Sequence, residues 1–195
     1  MPGPAPEASP PDYKRRRSYE HRCEARALNF ACFHDQTFLI SDRARRWFAD
    51  AFTHALVKHA FDLWAYCIMP THAHILVYPR GEPDVSALLA SAKTSVTVRA
   101  TRWVKAHAPS FLDRMRDEQP DGTVAYRFWQ RGGGYGRNLH TPKAIWDMID
   151  YIHMNPVEAR LAQRSCDWNW SSALWYASRT PGPLTLSVDR VPPRP

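Results

Sequence analysis

In residues 42–60, DRARRWFADAFTHALVKHA, apolar side chains fall at Trp47, Phe48, Ala51, Phe52, Ala55 and Leu56. Recurrence every three or four positions lines one face and predicts a helix. ARALNFACF (25–33) before it reads as a strand. LWAYCIM and HAHILVY after it read as two strands flanking Pro70-Thr71, a tight hairpin. DVSALLASAKTSVTVRATRWVKAHA (84–108) predicts a second long helix. Asp84 is its N-cap, and Lys105 and His107 lie near its C-terminal end.

RMRDEQPDGT reads as a loop, and VAYRFWQ as a strand running into the glycine-rich RGGGYGRNLH. PKAIWDMIDYIHM (142–154) predicts a third helix, with Thr141 as N-cap and Pro142 at its first position. Its apolar stripe is Ile145, Met148, Ile149 and Ile152. DWNWSSALWYA closes the ordered part as a short helix. The order is β-α-β-β-α-β with an extra C-terminal helix. That is an α+β, ferredoxin-like split β-α-β sandwich with an antiparallel sheet and helices on one face. This fold hosts many functions, so function rests on particular side chains.

Composition bounds the rest. The 195 residues fit one domain, and 44% hydrophobic content is enough for a core. The net charge of +7 suits a polyanionic partner, although it also serves plain solubility. No run is long enough to span a bilayer and no signal-peptide pattern opens the chain, so a cytoplasmic protein is expected. The four cysteines form no C-x-x-C pair, against a zinc ribbon or a disulfide scaffold. Five prolines in MPGPAPEASPPD and five in TPGPLTLSVDRVPPRP predict disordered tails. The expected division is a Pro-rich, basic tail over 1–20, a domain over 21–178 and a second Pro-rich tail over 179–195.

His72 and His74 are two apart on a predicted strand, so both project to one face, about 7 Å apart along it. They are either a cation-binding pair or two structural histidines, and a third polar group decides between them. On the third helix, Tyr151 and Asn155 are four apart and neighbour each other beside the apolar stripe. Tyr151 also reads as a boundary aromatic. Asn155 precedes Pro156 and Glu158, and sequence mechanics favour it as an N-cap at a kink. RFWQRGGGYGRNLH lacks the G-K-[ST] ending of a P-loop, which excludes that mode of ATP or GTP binding. It interleaves Arg127, Arg131 and Arg137 with Phe128, Trp129 and Tyr135. That mixture suits an unpaired nucleic-acid strand, and it equally suits a bulged strand or wide turn.

Four segments together resemble the one-tyrosine HUH transposases, in particular the REP-associated tyrosine transposases. They are MPTHAHILVYP, FWQRGGGYGRNL, IDYIHMNPVEARL and WNWSSALWY, in the family's order, over most of residues 25–176. The resemblance implies a metal-dependent enzyme that cleaves and rejoins single-stranded DNA near hairpins. It implies Tyr151 as the nucleophile, forming a covalent 5′-phosphotyrosine link. It also implies His72, His74 and Asn155 as ligands of Mg²⁺ or Mn²⁺. Single-stranded or hairpin DNA is the implied partner, met by Arg131, Tyr135, Arg137, Trp129, Arg99, Arg102 and Lys105, with the protein a monomer or homodimer. Two positions depart from the pattern: the residue between the histidines is only alanine, and Gly136 stands where an acidic residue often follows the tyrosine. The rivals are a non-catalytic hairpin-binding protein on the same fold and a metal hydrolase without a covalent intermediate.

Overall fold

A computed structural model describes residues 24–132 and 135–195, with the side chain of Tyr135 left out. The expected N-terminal tail (1–20) lies outside the described residues. In chain order the elements are β1 (Ala25–Ala31), α1 (Asp42–Lys58), β2 (Phe61–Ile68), β3 (His72–Pro79) and α2 (Val85–His107). There follow α3 (Leu112–Met115), β4 (Arg116–Glu118), β5 (Val124–Tyr126), β6 (Tyr135–Leu139), α4 (Pro142–Glu158) and α5 (Ala173–Ser178).

The main sheet has the order β2-β3-β1-β6, and every neighbouring pair is antiparallel. With β6 as the fourth strand this is the ferredoxin-like arrangement. Alternation along the strands sorts the side chains into two layers. Leu28, Phe30, Ile75 and Val77 face the layer that holds Phe48 and Phe52 of α1 and Leu88 and Val96 of α2. Ala25, Ala27, Cys67 and Leu76 face Ile145, Ile149 and Ile152 of α4. The extra helix therefore covers the second face of the sheet, where the expectation put helices on one face only. A register shift between Leu63 and Ala65 puts Trp64 and Ala65 together in that second layer.

The helix starts match the sequence reading. Asp84 caps α2 by accepting from Ala87 N–H, and the Thr141 hydroxyl caps α4 by accepting from Ala144 N–H. Among the described residues no helix is long and apolar enough to cross a membrane.

Three expectations are corrected. The fourth strand of the sheet is YGRNL from the glycine-rich stretch, not VAYRFWQ. Only Val124–Tyr126 of the latter is strand, in a separate hairpin with β4. Secondly, α4 does not stop before Pro156 but runs through it to Glu158, so Asn155 is an interior residue and not an N-cap. Pro156 brings no N–H to the helix ladder. The end of the helix is closed instead by Ala159 N–H donating to Asn155 O, with Arg160 in the left-handed region. Thirdly, residues 179–195 are not a loose tail. Leu184 is buried, Ser187 N–H donates to Leu63 O at 2.9 Å, and Trp146 Nε1–H donates to Pro192 O at 2.9 Å. A Cβ at Gly182 would collide with the Tyr66 hydroxyl, so glycine is what lets the segment lie this close. With Trp170 and Ser172, which also bond to β2, this segment covers the sheet's β2 edge.

Candidate active site

The Pro70-Thr71 turn delivers the chain into β3 with His72 and His74 on the face covered by α4. Their Nε2 atoms are 2.9 Å apart and their rings stand perpendicular, at 89°. The Thr71 hydroxyl lies 2.8 Å from His72 Nδ1. When Nδ1–H donates to that hydroxyl, Nε2 is left as the lone-pair nitrogen. Burial pushes His74 down to about 4, aided by the neighbouring His72 and opposed by a hydrogen bond with Asn155. Burial also lowers His72, opposed by the Asp35 carboxylate. The buried pair is thus held in the neutral form that a metal ligand requires.

The 2.9 Å spacing bears on which ion the pair fits. Two ligands about 2.1 Å from one ion are roughly 3.0 Å apart at an octahedral right angle, and roughly 3.4 Å apart at a tetrahedral angle. The pair fits adjacent corners of an octahedron. Among the described residues no group of three His, Cys, Asp or Glu side chains converges here, so any third protein ligand would be of another residue type.

Asn155 is the residue in reach. It is buried, and its Nδ2 donates to Tyr151 O at 2.8 Å. That bond orients the amide and leaves Oδ1 as the acceptor available to the His74 imidazole. It also takes up the Tyr151 carbonyl beside the proline irregularity. Tyr151, one turn earlier, sets its ring against His74 edge to face, with centroids 5.5 Å apart at 81°. It remains 47% exposed, so a group the size of a phosphodiester can approach it from solvent. The structure therefore brings together His72, His74, Tyr151 and Asn155, from β3 and α4.

The expected nucleic-acid contacts divide. Trp129 is buried, packed against Phe30, Phe48 and Phe128, and has no face open to a base. Its assignment as a stacking residue is corrected: the aromatic core claims it. Arg131 is bonded to Asp117, which also holds Arg127, and Arg99 is paired with Asp50. These arginines brace the protein's own surface. Arg102 and Lys105 are exposed along α2, and Arg137 is exposed on β6. The side chain of Tyr135 lies outside the described residues.

The sequence reading missed Thr71. Its hydroxyl on the first histidine had one visible signal, its place immediately before an H-x-H pair. It also missed His153, which is buried on α4 with Nε2 2.8 Å from Ser172 Oγ. A histidine two residues after Tyr151 invites a catalytic reading, but this one faces the C-terminal segment.

No family model matches the chain. It is 24% identical over 144 residues to a Haemophilus influenzae protein curated under the name REP-associated tyrosine transposase, covering 70% of this chain and 76% of that one. A solved REP-associated tyrosine transposase bound to a REP hairpin superposes with a TM-score of 0.67 at 17% identity. The match covers 93% of this chain and 98% of that one, and it establishes the fold. A transposase structure from Deinococcus radiodurans aligns over 72% of this chain and 96% of that one at 16% identity. Its TM-score is 0.42, too loose a likeness to bear on the site. In sequence and in fold, then, the chain is similar to REP-associated tyrosine transposases.

Proposed function

We propose that the protein cleaves and rejoins single-stranded DNA beside hairpins, with Tyr151 as the nucleophile. One observation carries this reading: the Tyr151 ring lies 5.5 Å from that of His74, on a site open to solvent, with both residues in one chain. A tyrosine placed so can serve the histidine pair of its own subunit.

His72, His74 and Asn155 are the residues that would hold a divalent cation, Mg²⁺ or Mn²⁺. When bound, that ion neutralises phosphate charge and stabilises the charge that develops in the transition state. The protein's own groups do the rest. The Thr71 hydroxyl, by accepting from Nδ1–H, would hold His72 in the ligand tautomer. The Tyr151 carbonyl fixes Asn155, so the nucleophile's backbone and the ligand amide move as a unit. Tyr151 Oη attacks the phosphorus, a new phosphotyrosine ester forms at the 5′ side, and the bond to the 3′ oxygen breaks. The phenolic proton ends on the released 3′-hydroxyl. Attack by a different 3′-hydroxyl reverses the step and rejoins strands, so the ester energy is conserved and no nucleotide hydrolysis is needed. Arg102, Lys105 and Arg137 supply phosphate contacts for a single-stranded or hairpin substrate.

The test is a denaturing gel of labelled single-stranded hairpin DNA incubated with protein and Mn²⁺ or Mg²⁺. A protein–DNA adduct that disappears in Tyr151→Phe is expected. Binding with no adduct in the unmodified protein would point to a non-catalytic hairpin-binding protein. Cleavage surviving the substitution would point to a hydrolase.

A further inference from the structure

Asn29 of β1 is the register partner of His74 of β3. Residues directly opposed in an antiparallel pair project to one face, with Cβ atoms about 4.5–5.5 Å apart. The Asn29 carboxamide therefore shares the surface that carries the histidine pair. Its Oδ1 is sealed from solvent and has no hydrogen-bond partner. An unmade bond at a sealed oxygen needs a reason, and most such groups in folded proteins are paired.

The two histidines are supported unequally. His72 has the Thr71 hydroxyl 2.8 Å from its Nδ1, the ring nitrogen turned away from the pair. His74 has its Nε2 2.9 Å from His72 Nε2, and its other hydrogen bond is with Asn155. Asn155, whose amide also interacts with His74, has its Nδ2 tied to Tyr151 O. On one side, then, stands a ligand imidazole whose further polar contact, Asn155, is the residue that would also serve the ion. Directly across the ladder stands a sealed carboxamide oxygen without a donor. Histidines that bind metals almost always donate their second N–H to an outer acceptor, which fixes the tautomer and raises ligand basicity.

We infer that Asn29 is the positioning residue for His74, its Oδ1 accepting the Nδ1 proton so that Nε2 is the lone-pair nitrogen beside His72. The inference rests on the proposed divalent-cation site. It extends that site from α4 and β3 to a second strand. Closing the bond calls for a turn of the Asn29 side chain, which hangs from the Cβ facing that of His74. Asn29 does not touch DNA or the ion in this role.

The test uses the full chain and Mn²⁺ itself, titrated by the electron paramagnetic resonance signal of the free ion. The unmodified protein is expected to bind one Mn²⁺ that His74→Ala loses. Asn29→Leu is expected to weaken binding by roughly 10- to 100-fold. Asn29→Asp, which keeps the acceptor, is expected to restore it. Should the leucine variant not fold, nitrogen-15 spectra of the Mg²⁺-loaded unmodified protein give the same answer. They are expected to show His74 protonated at Nδ1 and bare at Nε2. Mn²⁺ affinity unchanged in Asn29→Leu, or His74 protonated at Nε2, overturns the role of Asn29 while leaving the cation site standing. An Nδ1 proton that survives Asn29→Leu but is lost in Asn155→Leu names Asn155 as the acceptor, and also overturns it. No Mn²⁺ bound by the unmodified protein overturns the cation site and this inference together.

Discussion

At the scale of single residues, the chemistry near α4 depends on histidines kept neutral by burial. His153 shows it apart from the candidate site. Burial lowers it to about 4, and its Nε2 lies 2.8 Å from the Ser172 hydroxyl. The folded state resists its protonation whereas the unfolded chain accepts a proton near 6.5. Stability is therefore full above that value, falls as the pH drops from 6.5 towards 4, and levels off below. About 2.5 pH units correspond to roughly 3 kcal/mol lost for this one group. Urea unfolding at pH 7 and pH 5 measures the loss, and His153→Gln should flatten the difference. The lowered His72 and His74 act with the same sign, so the variant removes only part of the slope.

At the scale of elements, the C-terminal segment and the proline in α4 set the frame for the site. Arg194 reaches Asp150, the residue before Tyr151, at 2.6 Å, and Trp146 of the same helix is bonded to Pro192. Leu184→Ala should lower stability by about 2–5 kcal/mol, the usual range for a buried leucine, where a loose tail would give almost no change. Chemical denaturation checks this. The contrast explains what could be read in advance. α1 was legible from its apolar period, and α2 and α4 from an N-cap residue at the start of each. β6 was not legible, because it pairs through its backbone and buries only Leu139 among its described side chains. The C-terminal segment was hidden by its prolines: a few contacts, at Leu184, Ser187 and Pro192, decide its path, and composition does not show contacts. The His72-x-His74 and Tyr151-x-x-x-Asn155 spacings were visible as pairs on a strand and a helix. That the sheet and α4 would bring them face to face followed from the family resemblance and not from the spacings. Trp129 shows the opposite failure, since in an aromatic-rich stretch composition cannot say which ring turns inward.

At the scale of the whole molecule, part of the positive charge among the described residues is taken up by ion pairs. Asp117 occupies two arginines of the glycine-rich segment and Asp50 occupies Arg99. Exposed positive charge includes Arg102 and Lys105 on α2. Replacing both by alanine should weaken hairpin-DNA binding at every sequence alike. It should also reduce the slope of log affinity against log salt by about 1 per residue removed. Arg131→Ala should act differently, loosening its Asp117 contact with a smaller change in that slope. Fluorescence anisotropy across a salt series separates the two. The central claim is that Tyr151, held against the histidine pair, becomes covalently joined to DNA. It is tested most directly by digesting the adduct formed with hairpin DNA and Mn²⁺ and locating the modified peptide by mass spectrometry. A nucleotide 5′-phosphate on Tyr151 is the predicted result. A nucleotide on any other residue, or hairpin DNA bound with no covalent product, would contradict it.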